Sequence, residues 1–278
     1  MYFLAPLPDA VVMLLARIAN VFFYPGVRRN RWKFIKTAKV IPKLFPDKTD
    51  AWRRRVIKEN ALHVVKLAFE TLKTRFVGKR RINRKCYIRE GKEHLDALLR
   101  SGEGFFILTG HLGNFEYGAA FIAMNYRRLY TPVAVSNTPG SRLMNWAREG
   151  HNIELLESSV KRGKSARTLM KIIKLIRQGE IAYLVADQSG EGGDIEGEIF
   201  GKKLKLFGGP FIIGKRTGKP CLPMYSLRDE RDRIALHFEE PFHLKGDDLQ
   251  DDVRKVSAFF ERLMREHPEQ YLWARDHW

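Results

Sequence analysis

Residues 105–118, FFILTGHLGNFEYG, run from an apolar tetrad through a glycine-flanked histidine into a helix-forming segment. A short uninterrupted apolar run bounded by glycine reads as a buried strand. Gly110 and Gly113 permit a tight, exposed turn, Asn114 has the side chain of a helix N-cap, and Glu116 falls in the first turn of a helix over 116–124. A strand, a turn and a helix in so short a span form the repeating unit of an α/β sheet.

Outward from this stretch the same texture recurs. Apolar runs at 131–135, 153–156, 181–186 and 221–227 read as further buried strands, and 141–149 and 165–177 as helices between them. Residues 233–238 alternate, which predicts an edge strand, and 249–266 reads as a closing helix. Alternating strands and helices imply a sheet with crossover helices, in which active sites gather where strands end and loops begin. Upstream, the turn-forming Pro46 and Asp50 precede a long helical pattern in AWRRRVIKENALHVVKLAFETLK, and no internal repeat or long linker separates two domains.

The formal net charge of +18 is strongly localised. Residues 28–92 carry 22 Lys/Arg against five Asp/Glu, whereas 93–278 are nearly balanced, with 27 against 26. Such a segment faces a polyanion: nucleic acid, anionic lipid or an acidic protein. The stretch before it, residues 1–27, is apolar except for Asp9 and Arg17, and an apolar segment abutting a basic cluster fits attachment to an anionic membrane face. A helix over 10–24 would be about 22 Å long with Arg17 in its middle, which favours lying in the interface over spanning the bilayer. The organisation expected is therefore an apolar membrane-associating segment (1–27), a basic helical region (28–92) and an α/β core (93–278), the last two packed as one domain. Cys86 and Cys221 lack metal-ligand or disulfide spacing and are expected in the core, with no metal site.

His111 is the sharpest chemical signal. With the Glu116 carboxylate accepting from one ring nitrogen, the other nitrogen becomes a general base. The alternative is a histidine caught in a capping network, with Glu116 merely favouring the helix N-terminus. Polar residues also mark the later strand exits, Asn137, Arg148 and Asp187 followed by Gln188. Taken singly, Arg148 reads as a solvated helix charge and Asp187 as a turn residue; together at one sheet's loop ends they read as a site. No nucleophile elbow, phosphate loop or dinucleotide-binding motif is present. A base without a protein nucleophile points to direct transfer between two substrates, one of them activated at a hydroxyl.

LTGHLGNFEYGAA, the spaced Asn137 and Arg148, YLVADQSGEGG, the IFG at 199–201 and the terminal YLWARDHW together resemble the bacterial lipid A biosynthesis acyltransferases, within the wider His-x-x-x-x-Asp/Glu glycerolipid acyltransferase superfamily. The resemblance runs over essentially the whole chain. It implies a mixed, largely parallel central sheet flanked by helices, with an N-terminal helical membrane-associating part at the cytoplasmic face of the inner membrane. It implies a fatty acyl thioester donor, on acyl carrier protein or coenzyme A, a hydroxyl of a lipid A precursor or related glycolipid as acceptor, and no cofactor. His111 and Glu116 match the family's catalytic pair, and Arg148 and Asp187 match polar residues lining its site. Asn114, Gly113, Asn137 and Gln188 are the further candidates for substrate binding or oxyanion support. Phe115 and Ile199 stand where the family more often has Trp and Phe.

Two other readings compete: a basic nucleic-acid-binding protein and a noncatalytic peripheral lipid-binding protein. The first lacks any zinc-finger, RNP or basic-zipper pattern, so no nucleic-acid partner is expected; the second leaves His111 and Glu116 idle.

Overall fold

The computed structural model of the chain describes residues 7–31, 35–134, 145, 146, 148, 150–158, 164–188 and 194–274. Four helices precede or flank the first strand: α1 (Asp9–Arg28), α2 (Thr37–Leu44), α3 (Asp50–Thr74) and α4 (Lys79–Lys85). Then come β1 (Cys86–Glu90), α5 (Lys92–Ser101), β2 (Phe105–Thr109), α6 (Phe115–Asn125), β3 (Leu129–Ala134), β4 (Ile153–Ser158), α7 (Lys164–Arg177) and β5 (Ile181–Val185). The hairpin β6 (Asp194–Ile199) and β7 (Lys202–Phe207), α8 (Gly209–Thr217), β8 (Cys221–Arg228), β9 (Ile234–Phe238) and α9 (Leu249–Glu266) complete the order.

Seven strands form one sheet in the order β1-β9-β8-β2-β5-β3-β4. Every pairing is parallel except β8 with β9, so the expected mixed, largely parallel α/β sheet is present. All five residues of β2 are buried, and their alternation builds two cores. Phe105 and Ile107 pack on the face covered by α4 and α6, whereas Phe106 and Leu108 pack on the face covered by α7, α8 and α9. Large apolar side chains buried this fully contribute about 1.5–3 kcal/mol each, which makes β2 a rigid base for the loop that follows it.

Residues 233–238 are not an edge. β9 lies between β1 and β8 and is buried throughout. The edge on that side is β1, which is exposed at Arg89 and Glu90 and whose short sequence, CYIRE, carried no strand signal of its own. The hairpin β6–β7 and helices α5 and α8 are also additions to the sequence reading. The helix expected over 141–149 falls mostly outside the described residues.

The N-terminal helices differ in kind. α1 runs 20 residues, longer than expected, and is long and apolar enough to cross a membrane by length and composition. One of its faces nonetheless packs on the protein through Val12, Met13, Ala16 and Val27. α3 is capped by Thr49, whose hydroxyl accepts from Trp52 N–H at 3.2 Å. Its buried face includes Asn60, His63, Lys66, Glu70 and Lys73, so a polar seam runs through what its apolar pattern suggested was plain core.

Candidate active site

β2 and β5 are parallel neighbours in register, with Thr109 opposite Val185. Two residues beyond each of these strand ends stand His111 and Asp187, so the sheet brings them side by side although they are 76 positions apart in the chain. His111 Nδ1 lies 2.8 Å from Asp187 Oδ1, and the His111 backbone N–H donates to Oδ2 at 3.0 Å. The Asp187 carboxylate accepts a third hydrogen bond from the Tyr271 hydroxyl at 2.7 Å. Burial would push this carboxyl up, but the His111 ring and the hydrogen bonds from His111 and Tyr271 hold it below the ordinary carboxylate range. An ionised Asp187 fixes the proton on Nδ1 and leaves the Nε2 lone pair unshared. The His111 side chain is 27% exposed against 0% for Asp187, and among the described residues nothing pairs with Nε2.

The pairing expected between His111 and Glu116 does not form. Glu116 is held instead by Arg148, whose Nε donates to Oε1 at 2.8 Å and whose Nη2 donates to the same oxygen. The charge of Glu116 in turn raises the Arg148 pKa. The reason is geometric: Glu116 lies in the first turn of α6 and turns toward the segment bearing Arg148, while the ring nitrogen of His111 is already occupied from β5. Arg148 is thus anchored by Glu116, not by Asp187.

The remaining candidates take structural parts. Asn114 caps α6, accepting from Tyr117 N–H at 2.9 Å, and its amide donates to Glu70 at 2.7 Å, so both ends of the side chain are spent inside the protein. Gly113 sits at φ 57° with an imagined Cβ only 1.6 Å from the Ser226 carbonyl oxygen, so no other residue fits. The turn is covered, not exposed: Gly113 N–H donates to the Gln270 carbonyl and Leu272 N–H donates to the His111 carbonyl, clasping the loop under the C-terminal segment. With His111 N–H on Asp187 and Gly113 N–H on Gln270, two amides of the turn are unavailable to an oxyanion. Gln188 donates to the Tyr271 hydroxyl at 3.3 Å. Asn137 lies outside the described residues.

Two contributors were not singled out by sequence reasoning. Tyr271 sits in the terminal motif but carried no assigned role. Glu70 is a buried carboxylate on α3, in the polar seam that also holds Lys66 and Lys73. Phe115 meets the His111 ring edge-on with centroids 5.1 Å apart, and the buried Tyr183 hydroxyl donates to the Phe115 carbonyl at 2.9 Å. The ring is therefore wedged on one side and hydrogen-bonded on the other.

This placement, a histidine held by a buried carboxylate at adjacent parallel strand exits, can be set beside known proteins. The sequence model for bacterial lipid A biosynthesis acyltransferases matches residues 4–278. The chain belongs to that family. It is also 25% identical over 137 residues, 49% of its length, to a phosphatidylinositol mannoside acyltransferase of Mycobacterium tuberculosis (strain CDC 1551 / Oshkosh), and the match spans 42% of that relative. The constellation around His111 is the candidate site for that family's chemistry in this chain.

Proposed function

We propose that this acyltransferase moves a fatty acyl group from a thioester, on acyl carrier protein or coenzyme A, to a hydroxyl of a lipid A precursor or related glycolipid at the cytoplasmic face of the inner membrane. The observation that carries the reading is the His111–Asp187 pair at the exits of β2 and β5. His111 Nε2 takes the proton of the acceptor hydroxyl, and Asp187 stabilises the imidazolium. The oxygen attacks the thioester carbonyl, the C–S bond breaks, and the departing sulfur receives the proton from His111. A general base so positioned contributes about a hundred- to ten-thousandfold.

In this scheme Glu116 is a positioning residue that holds Arg148 beside the reaction centre. The Arg148 guanidinium then serves the developing oxyanion or an anionic group of the substrate, a task suited to its fork of donors. The mycobacterial relative is named for a mannosylated phospholipid acceptor, which supports a lipid-linked sugar hydroxyl as the acceptor class. The basic segment 28–92 and the apolar face of α1 support residence at an anionic bilayer, and an acidic carrier protein would find the same cations favourable.

The test is release of free thiol from an acyl thioester in the presence of a glycolipid acceptor. His111→Ala should lower turnover by about a hundred- to ten-thousandfold with an unchanged melting temperature. Near wild-type turnover in the folded variant would remove His111 from the chemistry and the proposal with it.

A further inference from the structure

The Arg84 and Arg231 guanidinium groups have no ion-pair partner among the described residues, although acids lie close by. They line a cleft of about 370 Å³ between the first half of α1, the end of α4 and the turn joining β8 to β9. Its two acids are committed to other cations: Asp232 pairs with Arg17, which also lines the cleft, and with Lys66, and Asp9 pairs with Lys73 and Arg81. Arg84 and Arg231 are both exposed, so the cleft holds two uncompensated, accessible cations. Compensated cations at its wall, Lys85 on Glu70 and Arg233 on Asp229, keep their own partners.

The lip of the same cleft is apolar. Leu14 lines it and belongs to an exposed stripe with Val11, Ile18, Val21 and Phe22. Spacings of three and four residues put these side chains on one helical face, opposite the face that packs on the protein. Phe22 is 80% exposed and Val21 69%. β8 runs parallel to β2 and ends at Arg228, so the β8–β9 turn lies at the same rim of the sheet as His111.

We infer that this cleft binds the phosphate of an anionic glycerophospholipid in a bilayer, with the α1 stripe inserted among the acyl chains beside it. A bilayer presents phosphates directly above apolar chains, which is the arrangement of free arginines and exposed aliphatic side chains found here. A second copy of this chain, itself +18, would bring like charge to the cleft. An acidic protein would answer the arginines but leave the stripe in water. The inference rests on the membrane residence proposed above and adds to it a defined headgroup site on the rim that bears His111.

The probe is vesicle partitioning of the full chain on phosphatidylcholine alone and on phosphatidylcholine doped with phosphatidylglycerol. Arg84→Ala/Arg231→Ala should weaken binding to the doped vesicles by about thirtyfold, about fivefold per arginine, and leave binding to phosphatidylcholine unchanged. Arg100→Ala/Arg128→Ala, at the opposite rim before β2 and β3, removes the same formal charge and should change binding by less than about threefold, since screening limits the reach of distant charge. Equal losses in the two double variants, or none in either, would overturn the cleft as a site and leave only a diffuse basic surface or an acidic protein as its occupant. Ile18→Ser/Phe22→Ser separates the underlying reading: it should weaken binding to both vesicle types. Wild-type protein that partitions onto neither vesicle would overturn the membrane reading together with the site.

Discussion

Two carboxylates, Asp187 and Glu70, are buried to nearly the same extent, 1% and 2% exposed, yet they are compensated in opposite ways. Glu70 faces permanent cations. Arg228 Nη1 lies 2.9 Å from Oε1 and its Nη2 reaches Oε2, Lys85 Nζ stands 3.1 Å from Oε1, and the Asn114 amide donates to Oε2. Burial alone would push the Glu70 carboxyl up, but Arg228 and Lys85 outweigh it and hold the group down at about 2. Asp187 faces a partly exposed imidazole and a phenol, neither of which carries a fixed charge. A buried acid with fixed countercharges is a rivet; a buried acid opposite a histidine can follow a proton on and off the ring. The two are linked, since Asn114 ties Glu70 to the loop that carries His111.

The contrast is broken most directly by making each acid neutral without changing its shape. Asp187→Asn should lower turnover by about a thousand- to ten-thousandfold, the order seen when a histidine loses its orienting carboxylate. Asp187 accepts from both the backbone and the ring of His111, and an amide offers only one oxygen, so one of these bonds must fail or the ring must change tautomer. The readout is kcat against melting temperature: a large fall in kcat with a small fall in stability is expected, and the reverse would make Asp187 a second rivet.

Glu70→Gln should show that reverse. It strands Arg228 and Lys85 in a buried site, and breaking a buried pair from one side typically costs about 3–5 kcal/mol. Its pH signature is specific. The folded-state value of about 2 lies below the ordinary 4.5, so Glu70 contributes its full stabilisation above about pH 4.5 and loses it as pH falls toward 2. Denaturant melts across that window should show a steeper acid decline in the wild type than in Glu70→Gln. Parallel curves would mean that Arg228 and Lys85 find equal compensation without the carboxylate.

The same contrast explains what could be read from the sequence. β2 and β5 were legible because both faces of a central parallel strand are covered, leaving nearly unbroken apolar runs. β9 was misread because Arg233 just before it and His237 within it suggest an alternation usually seen at an edge; β1 and Tyr225, stacked on His237 at 4.7 Å, cover it instead. The β6–β7 hairpin alternates as DIEGEI and KKLKLF, a strand signal hidden beside a glycine-rich loop. His111 was legible from its flanking glycines, and Asn114 from its capping position. The partner of His111 was not, because a five-residue separation looked sufficient within one loop, whereas pairing of β2 with β5 supplies a carboxylate from across the sheet. Glu70 was hidden by context: a charge on a long basic helix looks solvated until the helix acquires neighbours on both sides.

The smallest effect expected sharpens the comparison at the far side of Asp187. Tyr271→Phe deletes the hydroxyl that donates to Asp187 at 2.7 Å and that accepts from Gln188 at 3.3 Å. The ring itself should keep its place, since Tyr271 packs edge-on against Trp273 with centroids 4.6 Å apart and its segment is pinned by Asn60, whose amide donates to the Tyr271 carbonyl at 2.7 Å. What is lost is one donor to a buried anion, and hydrogen bonds to charged groups contribute about 1.5–3 kcal/mol. Part of that loss is recovered, because Asp187 then leans more fully on His111. The expectation is a fall in kcat of about tenfold or less, an unchanged KM and a modest fall in melting temperature. If Tyr271 acts only through Asp187, adding Tyr271→Phe to Asp187→Asn should cost little more than Asp187→Asn alone, since members of one catalytic unit are non-additive. Losses that multiply in the double variant would give Tyr271 a part of its own at the reaction centre, and the acid at the end of β5 would then be half of a pair that reaches beyond the histidine.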